Sequence, residues 1–264
     1  MTTNHKTKVI CDTNIWYKLG SGEFQKPDPL KYDLICTFVN VKEIVSSNNF
    51  LLLSKFEEIK NACRAILEYA DGYIFENPIE YLKNELTDII TISEGKLFDL
   101  IPLITKIDKL NREELDLITL ESIKWYQFLD AYFVFPVTSA LKKDRELILG
   151  NNKKFREIIK NPRVLSLERE KVKEQILYDL TSQYKYLDRK LMSKINYSNV
   201  ELYINARIAY IHKLKLDKIM TVQRNDVGDL FQLIYVNRDT LYWTNEGRWK
   251  DIIGRARMSS YLFH

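Results

Sequence analysis

The stretch Lys8-Val9-Ile10-Cys11-Asp12-Thr13-Asn14-Ile15-Trp16 constrains the fold of this chain more than any other. A short apolar run ends on an aspartate, and Ile15, Trp16 and Leu19 begin a helical spacing directly behind it. A continuous apolar strand is buried on both faces, as in the parallel sheets of α/β proteins. The carboxyl ends of such strands form the crevice where ligands bind. A carboxylate buried there without a partner is costly. Asp12 therefore needs a cation, a donor or water, and the expectation is that other segments bring further carboxylates to it.

The chain of 264 residues is long enough for one ample core, or for a core with a substantial insertion. Only eight Gly and six Pro argue for a helix-rich chain rather than a β-rich or disordered one. The longest apolar run, Phe128 to Leu141, is broken by Asp130 and Pro136 and is too short for a bilayer. Met1 to Lys8 is polar, so no secretory signal is expected. Cys11, Cys36 and Cys63 show no paired spacing and read as buried, reduced thiols of a cytoplasmic protein. His5 and His264 lie at the termini and His212 among lysines, which argues against a histidine-based triad or a His-rich zinc site. Any catalysis must then run on carboxylates.

A second strand is expected over Leu34–Val39, followed by a helix opened by Asn40-Val41-Lys42-Glu43. In that reading Glu43 is either a capping-box partner of Asn40 or a functional acid. From residue 54 to residue 216 the pattern is helical, with apolar faces at Phe56, Ile59, Cys63, Ile66, Leu67 and Ala70, and at Val172, Ile176, Leu180, Tyr184, Leu187 and Leu191. Asn77-Pro78 reads as a helix start, and Ser198-Asn199-Val200-Glu201 as a capping box. This middle is expected to be an all-helical insertion packed on a core of 1–53 and 217–264. Its charge is uneven: nine Lys/Arg against sixteen Asp/Glu between Ser54 and Asp130, then fifteen against eight between Lys142 and Lys194. The basic half is either a solvated surface or a set of phosphate-neutralising contacts.

The second informative block is Asn225-Asp226-Val227-Gly228-Asp229-Leu230. Asp226 and Asp229 share a helix face and fall near its N-terminus, where the dipole favours negative charge. Asn225 or Asp226 would serve as N-cap, which leaves Asp229 over. A further strand, Leu241–Thr244, leads to Asn245-Glu246. A helix over Trp249–Ala256 and a last strand over Ser260–Phe263 follow, with Trp243 and Trp249 read as core aromatics. Carboxylates crowded at one sheet edge raise each other's pKa unless a cation compensates. Mg²⁺ or Mn²⁺ suits an all-oxygen site.

In these blocks, Val9-Ile10-Cys11-Asp12-Thr13-Asn14, Phe38-Val39-Asn40-Val41-Lys42-Glu43, Asn225 to Leu230 and Tyr242-Trp243-Thr244-Asn245-Glu246, the chain resembles the PIN domain family of metal-dependent nucleases. The resemblance covers about the first fifty and last fifty residues. It implies an α/β fold with a central parallel sheet of four to five strands flanked by helices, here carrying the large helical insertion. It implies a ribonuclease that hydrolyses RNA phosphodiester bonds with Mg²⁺ or Mn²⁺, RNA or single-stranded DNA being the partner. Asp12, Glu43 and Asp229 match the family's acids. Asp226 and Glu246 complete the metal ring, and Asn14 and Thr244 match polar positions that orient the acids. The family usually ends its fourth strand with Asp where this chain has Asn245-Glu246. That departure, with the long insertion, leaves a catalytically weak or inactive scaffold for binding or assembly as the alternative. A homodimer or a protein inhibitor is a further partner the family admits, and no apolar stripe in the sequence assigns such an interface.

Overall fold

The computed structural model describes residues 6–46, 55–87, 95–148, 152–184, 195–217 and 219–264. Its centre is an all-parallel four-stranded sheet, with β1 (Thr7–Cys11), β2 (Tyr32–Thr37), β3 (Gly72–Ile74) and β4 (Thr240–Trp243) in the order β3-β2-β1-β4. Val9 stands opposite Leu34 on one side and Leu241 on the other. Successive strand residues point to opposite faces, so Ile10 and Ile35 enter one apolar cluster while Val9, Cys11, Leu34 and Cys36 enter another. Burial on both faces explains why β1 reads as an uninterrupted apolar run.

One face is covered by α1 (Thr13–Gly20) and α3 (Phe56–Tyr69), through Ile15, Trp16 and Leu19 against Ile59, Cys63 and Ile66. Their closest approach is at Gly20, where a Cβ would overlap the backbone of Asn61, so no other residue fits without moving α3. Leu67, expected on the buried face of α3, is instead 48% exposed. The other face carries α10 (Glu201–Leu216), α11 (Arg224–Gln232) and α12 (Gly247–Arg255). Outside them lie α6 (Arg112–Leu129), α7 (Phe135–Ile148) and α9 (Pro162–Gln183). Among the described residues, no helix is long and apolar enough to cross a membrane.

Several sequence expectations are corrected here. The stretch from residue 54 to residue 216 is not all-helical: β3 lies within it and pairs with β2, and α3 packs against α1. Gly72-Tyr73-Ile74 is too short to show a period. Trp125, Phe133, Ile176 and Leu180, from the stretch expected to pack on the core of 1–53 and 217–264, join the cluster of Ile10 and Tyr242. Strand β2 ends at Thr37, whose side chain caps α2 (Phe38–Val45) and makes a capping box with Asn40. Asn40 is thus three residues inside the helix, and Glu43 is relieved of any capping role. Asn77 and Pro78 start α4 (Pro78–Leu86) as expected. Asn196, not Ser198, caps the 3₁₀ turn that leads into α10. Instead of a last strand over Ser260–Phe263, a 3₁₀ turn (Ser259–Tyr261) precedes a single parallel bridge between Leu262 and Tyr242. Leu187 and Leu191, assigned to the face of α9, lie outside the described residues.

Candidate metal centre

Asp12 directly follows β1, and its N–H donates to Trp243 O at 2.9 Å, extending the β1–β4 pairing by one residue. It stands at the N-cap position of α1, yet its side chain caps nothing. The carboxylate turns to the sheet edge, where Oδ2 accepts from Thr244 Oγ1 at 2.8 Å, and it is 1% exposed. Glu43 reaches the same place from α2, half-buried, and accepts a hydrogen bond from Thr13 Oγ1. Asp229 arrives from α11, 6% exposed, and accepts from Trp249 Nε1 at 2.6 Å. One oxygen from each of the three lies within 4.8 Å of the others. Gly228 permits this approach: a Cβ there would overlap Glu43 Oε1.

Burial of three neighbouring carboxylates pushes all of them up. Removal from water raises Asp12 to about 6, against the bond from Thr244, with the charge of Glu246 adding to the rise. Burial and then the charge of Asp12 raise Glu43 to about 8. Asp229 is held well above the ordinary carboxylate range by burial, then by Asp12 and Glu43. Three acids short of positive charge, with oxygen donors only, fit a hard divalent cation.

A buried polar floor fixes the triangle. Asn40 Nδ2 donates to Cys11 O at 3.0 Å and to Thr13 Oγ1 at 3.1 Å, which leaves the Thr13 hydroxyl proton for Glu43. Gln232 Nε2 also donates to Cys11 O, at 2.9 Å, and Gln232 Oε1 accepts from Thr37 Oγ1 at 2.8 Å. Thr13, Asn40, Gln232 and Trp249 were not singled out as site residues from the sequence. The nearest signal is Thr37, a residue type favoured at a helix N-cap, three positions before Asn40.

The other expected residues are placed differently. Neither Asn225 nor Asp226 caps α11, whose N-cap is Gln223. Asp226 is buried but stands outside the triangle, one helical turn before Asp229. Its Oδ2 accepts from Tyr210 Oη at 2.9 Å, and its Oδ1 pairs with Arg248. Glu246 also stands outside and accepts from Asn14 Nδ2, while its charge is felt by all three acids. Asn14 therefore orients Glu246, and Thr244 orients Asp12. Of the five acids expected to hold metal, Asp12, Glu43 and Asp229 bring an oxygen within 4.8 Å of one another. Trp249 is fully buried and Trp243 half-buried, stacked on Phe24.

The triangle opens into a cleft of about 1020 Å³. Its far wall comes from α6 and α7, joined by a π-helical turn over Asp130–Val134. Asp130 binds Arg224 of α11 through two parallel bonds, Nε to Oδ1 at 2.8 Å and Nη2 to Oδ2 at 2.6 Å. This pair ties the helical wall to the helix that carries Asp229. The chain finds no match among family models, curated proteins or solved structures.

Proposed function

We propose that this protein is a divalent-metal-dependent ribonuclease of PIN-like architecture, with Asp12, Glu43 and Asp229 holding Mg²⁺ or Mn²⁺. The observation that carries the reading is the gathering of three carboxylates, from segments more than two hundred residues apart at the extremes, within 4.8 Å at the carboxyl end of a parallel sheet. Bound there, the ion supplies Lewis-acid activation of water and neutralises charge on the phosphoryl group. The chain's own residues do the positioning. Thr244 holds the Asp12 carboxylate, Thr13 with Asn40 behind it holds Glu43, and Trp249 holds Asp229. Protons kept on these acids without metal leave when a cation binds. The cleft beside them has the volume for a nucleotide strand, with Trp125, Tyr126 and Phe135 on one wall.

Glu246 gives the alternative its support. At the position where the family usually carries Asp, its carboxylate is committed to Asn14, which suits a weakly active or inactive scaffold used for binding or assembly. The two readings separate by incubating the protein with labelled RNA and single-stranded DNA in Mg²⁺, Mn²⁺ or EDTA, beside Asp12→Asn. The nuclease reading expects cleavage of RNA that needs metal and is lost in the variant. Cleavage that survives EDTA and the variant alike would overturn it, and a folded protein that cuts neither strand would favour the scaffold.

A further inference from the structure

Two cations line the cleft, Arg224 and Arg248, and their commitments differ. The Arg224 fork is taken up by Asp130 through both Nε and Nη2. Arg248, in the first turn of α12, makes its nearest approach to three acids through Nη2: to Asp226, to Asp229 Oδ2 at 3.7 Å and to Glu246 Oε2 at 3.9 Å. Among the described residues no hydrogen bond is made by its Nε or Nη1. The guanidinium lies 5.9 Å from the centre of the Trp249 ring, and the side chain stays 35% exposed. Asp226 is built to hold it there: the carboxylate is 2% exposed, sits on α11 one turn from Asp229, and is itself fixed by the Tyr210 hydroxyl. A guanidinium presents five donors in a rigid plane, so one edge can be anchored while the other binds an oxyanion.

We propose that Arg248 binds a phosphate of the nucleic-acid substrate beside Asp229, and that Asp226 is the positioning residue that aims it; this rests on the nuclease reading of the neighbouring triangle. The competing account makes Arg248 only a counter-ion for the acids. Removing a counter-ion would tighten metal binding and leave substrate recognition alone. Removing a phosphate ligand weakens both nucleic-acid binding and turnover.

Asp226→Asn/Arg248→Met removes the closest pair together, so neither Asp226 nor Arg248 is left behind as a charge without its partner, and a thermal melt of the variant checks the fold. Arg248→Lys keeps the charge and loses the fork. Three measurements apply to wild type and both variants: Mn²⁺ titration, cleavage of a labelled single-stranded RNA, and anisotropy binding of that RNA in an Asp12→Asn background across salt concentrations. The double variant is expected to bind Mn²⁺ at least as tightly as wild type. Its kcat/KM is expected to fall about a hundredfold, the scale of losing one oriented charge-stabilising donor. The slope of log affinity against log salt is expected to become shallower by about 0.7, one phosphate contact on a single strand. Arg248→Lys should fall between the two in kcat/KM. Unchanged turnover and salt slope, with intact or tighter Mn²⁺ binding, would reduce Arg248 to a counter-ion. Loss of Mn²⁺ binding in the double variant would return Asp226 to the metal set and overturn the proposal. If wild type cleaves nothing with any metal, the nuclease reading fails, while the salt slope still decides whether Arg248 touches phosphate.

Discussion

Gly228→Ala separates stability from metal binding. The added methyl meets Glu43 Oε1, the far end of a flexible, half-buried side chain rather than a backbone atom. Alanine inside helix α11 is favoured over glycine by about 0.5–1 kcal/mol. Overpacking typically costs about 1–3 kcal/mol, and the lower end applies where the neighbour can swing aside. The two nearly offset, so the melting temperature of the EDTA-treated protein should move by only a few degrees. Glu43 has to leave its place, however, and with it goes the bond from Thr13 that fixes its carboxylate. Displacing one of the three proposed ligands should weaken Mn²⁺ binding by at least the ten- to hundredfold seen when a ligand's supporting partner is lost, about 1.4–2.7 kcal/mol. Calorimetric titration of Mn²⁺ into wild type and variant, beside thermal melts, reads both effects. A Gly228→Ala protein that binds Mn²⁺ as wild type does would refute the idea that α11 must approach this closely for Glu43 to serve the site.

Without metal, Asp12 and Glu43 keep protons up to about 6 and about 8, and Asp229 keeps its own well above the usual range, whereas the unfolded chain releases them near 4. The folded state then binds more protons over that window, so the unfolding free energy falls as pH rises through it. Melts in EDTA should be lower at pH 8 than at pH 5.5, and saturating Mn²⁺ should flatten the difference; a melting temperature that climbs with pH in EDTA would contradict this. Asn40→Leu strands the Thr37 N–H in a buried floor and takes one donor each from the Cys11 carbonyl and the Thr13 hydroxyl. Urea denaturation should show a loss of about 3 kcal/mol or more, and a loss below about 1 kcal/mol would mean that water or a neighbour repairs the floor.

Much of the site was legible because its acids sit where local pattern and burial disagree. Asp12 ends an apolar run, Glu43 sits in an apolar helix, and Asp229 follows a glycine in a helix that needs no second cap. Helices α1 and α3 are legible because their apolar spacing follows from the face they bury, β1 as an uninterrupted apolar run and α4 from its Asn77-Pro78 start. What stayed hidden depends on partners distant in sequence. Asp226 and Asp229 look equivalent on a helix wheel, and only folding brings Arg248 and Tyr210 to one and the carboxylates of Asp12 and Glu43 to the other. Asn40 is misplaced by the sequence because the run Asn40 to Glu43 satisfies the capping pattern, whereas Thr37 to Asn40, the pair that forms the box, lacks the usual Glu or Gln at its fourth position. The choice was made by where β2 leaves the sheet. Trp249 was read as a core aromatic and is one, but its indole N–H also serves Asp229.

The most direct test titrates Mn²⁺ into the folded, chelator-stripped protein and into Asp12→Asn, Glu43→Gln and Asp229→Asn variants whose melts show them intact. Saturable binding to wild type, weakened in each of the three, is the result the triangle requires. Wild type that takes up no Mn²⁺, or variants that bind it undiminished, would mean that these three carboxylates meet for some other reason.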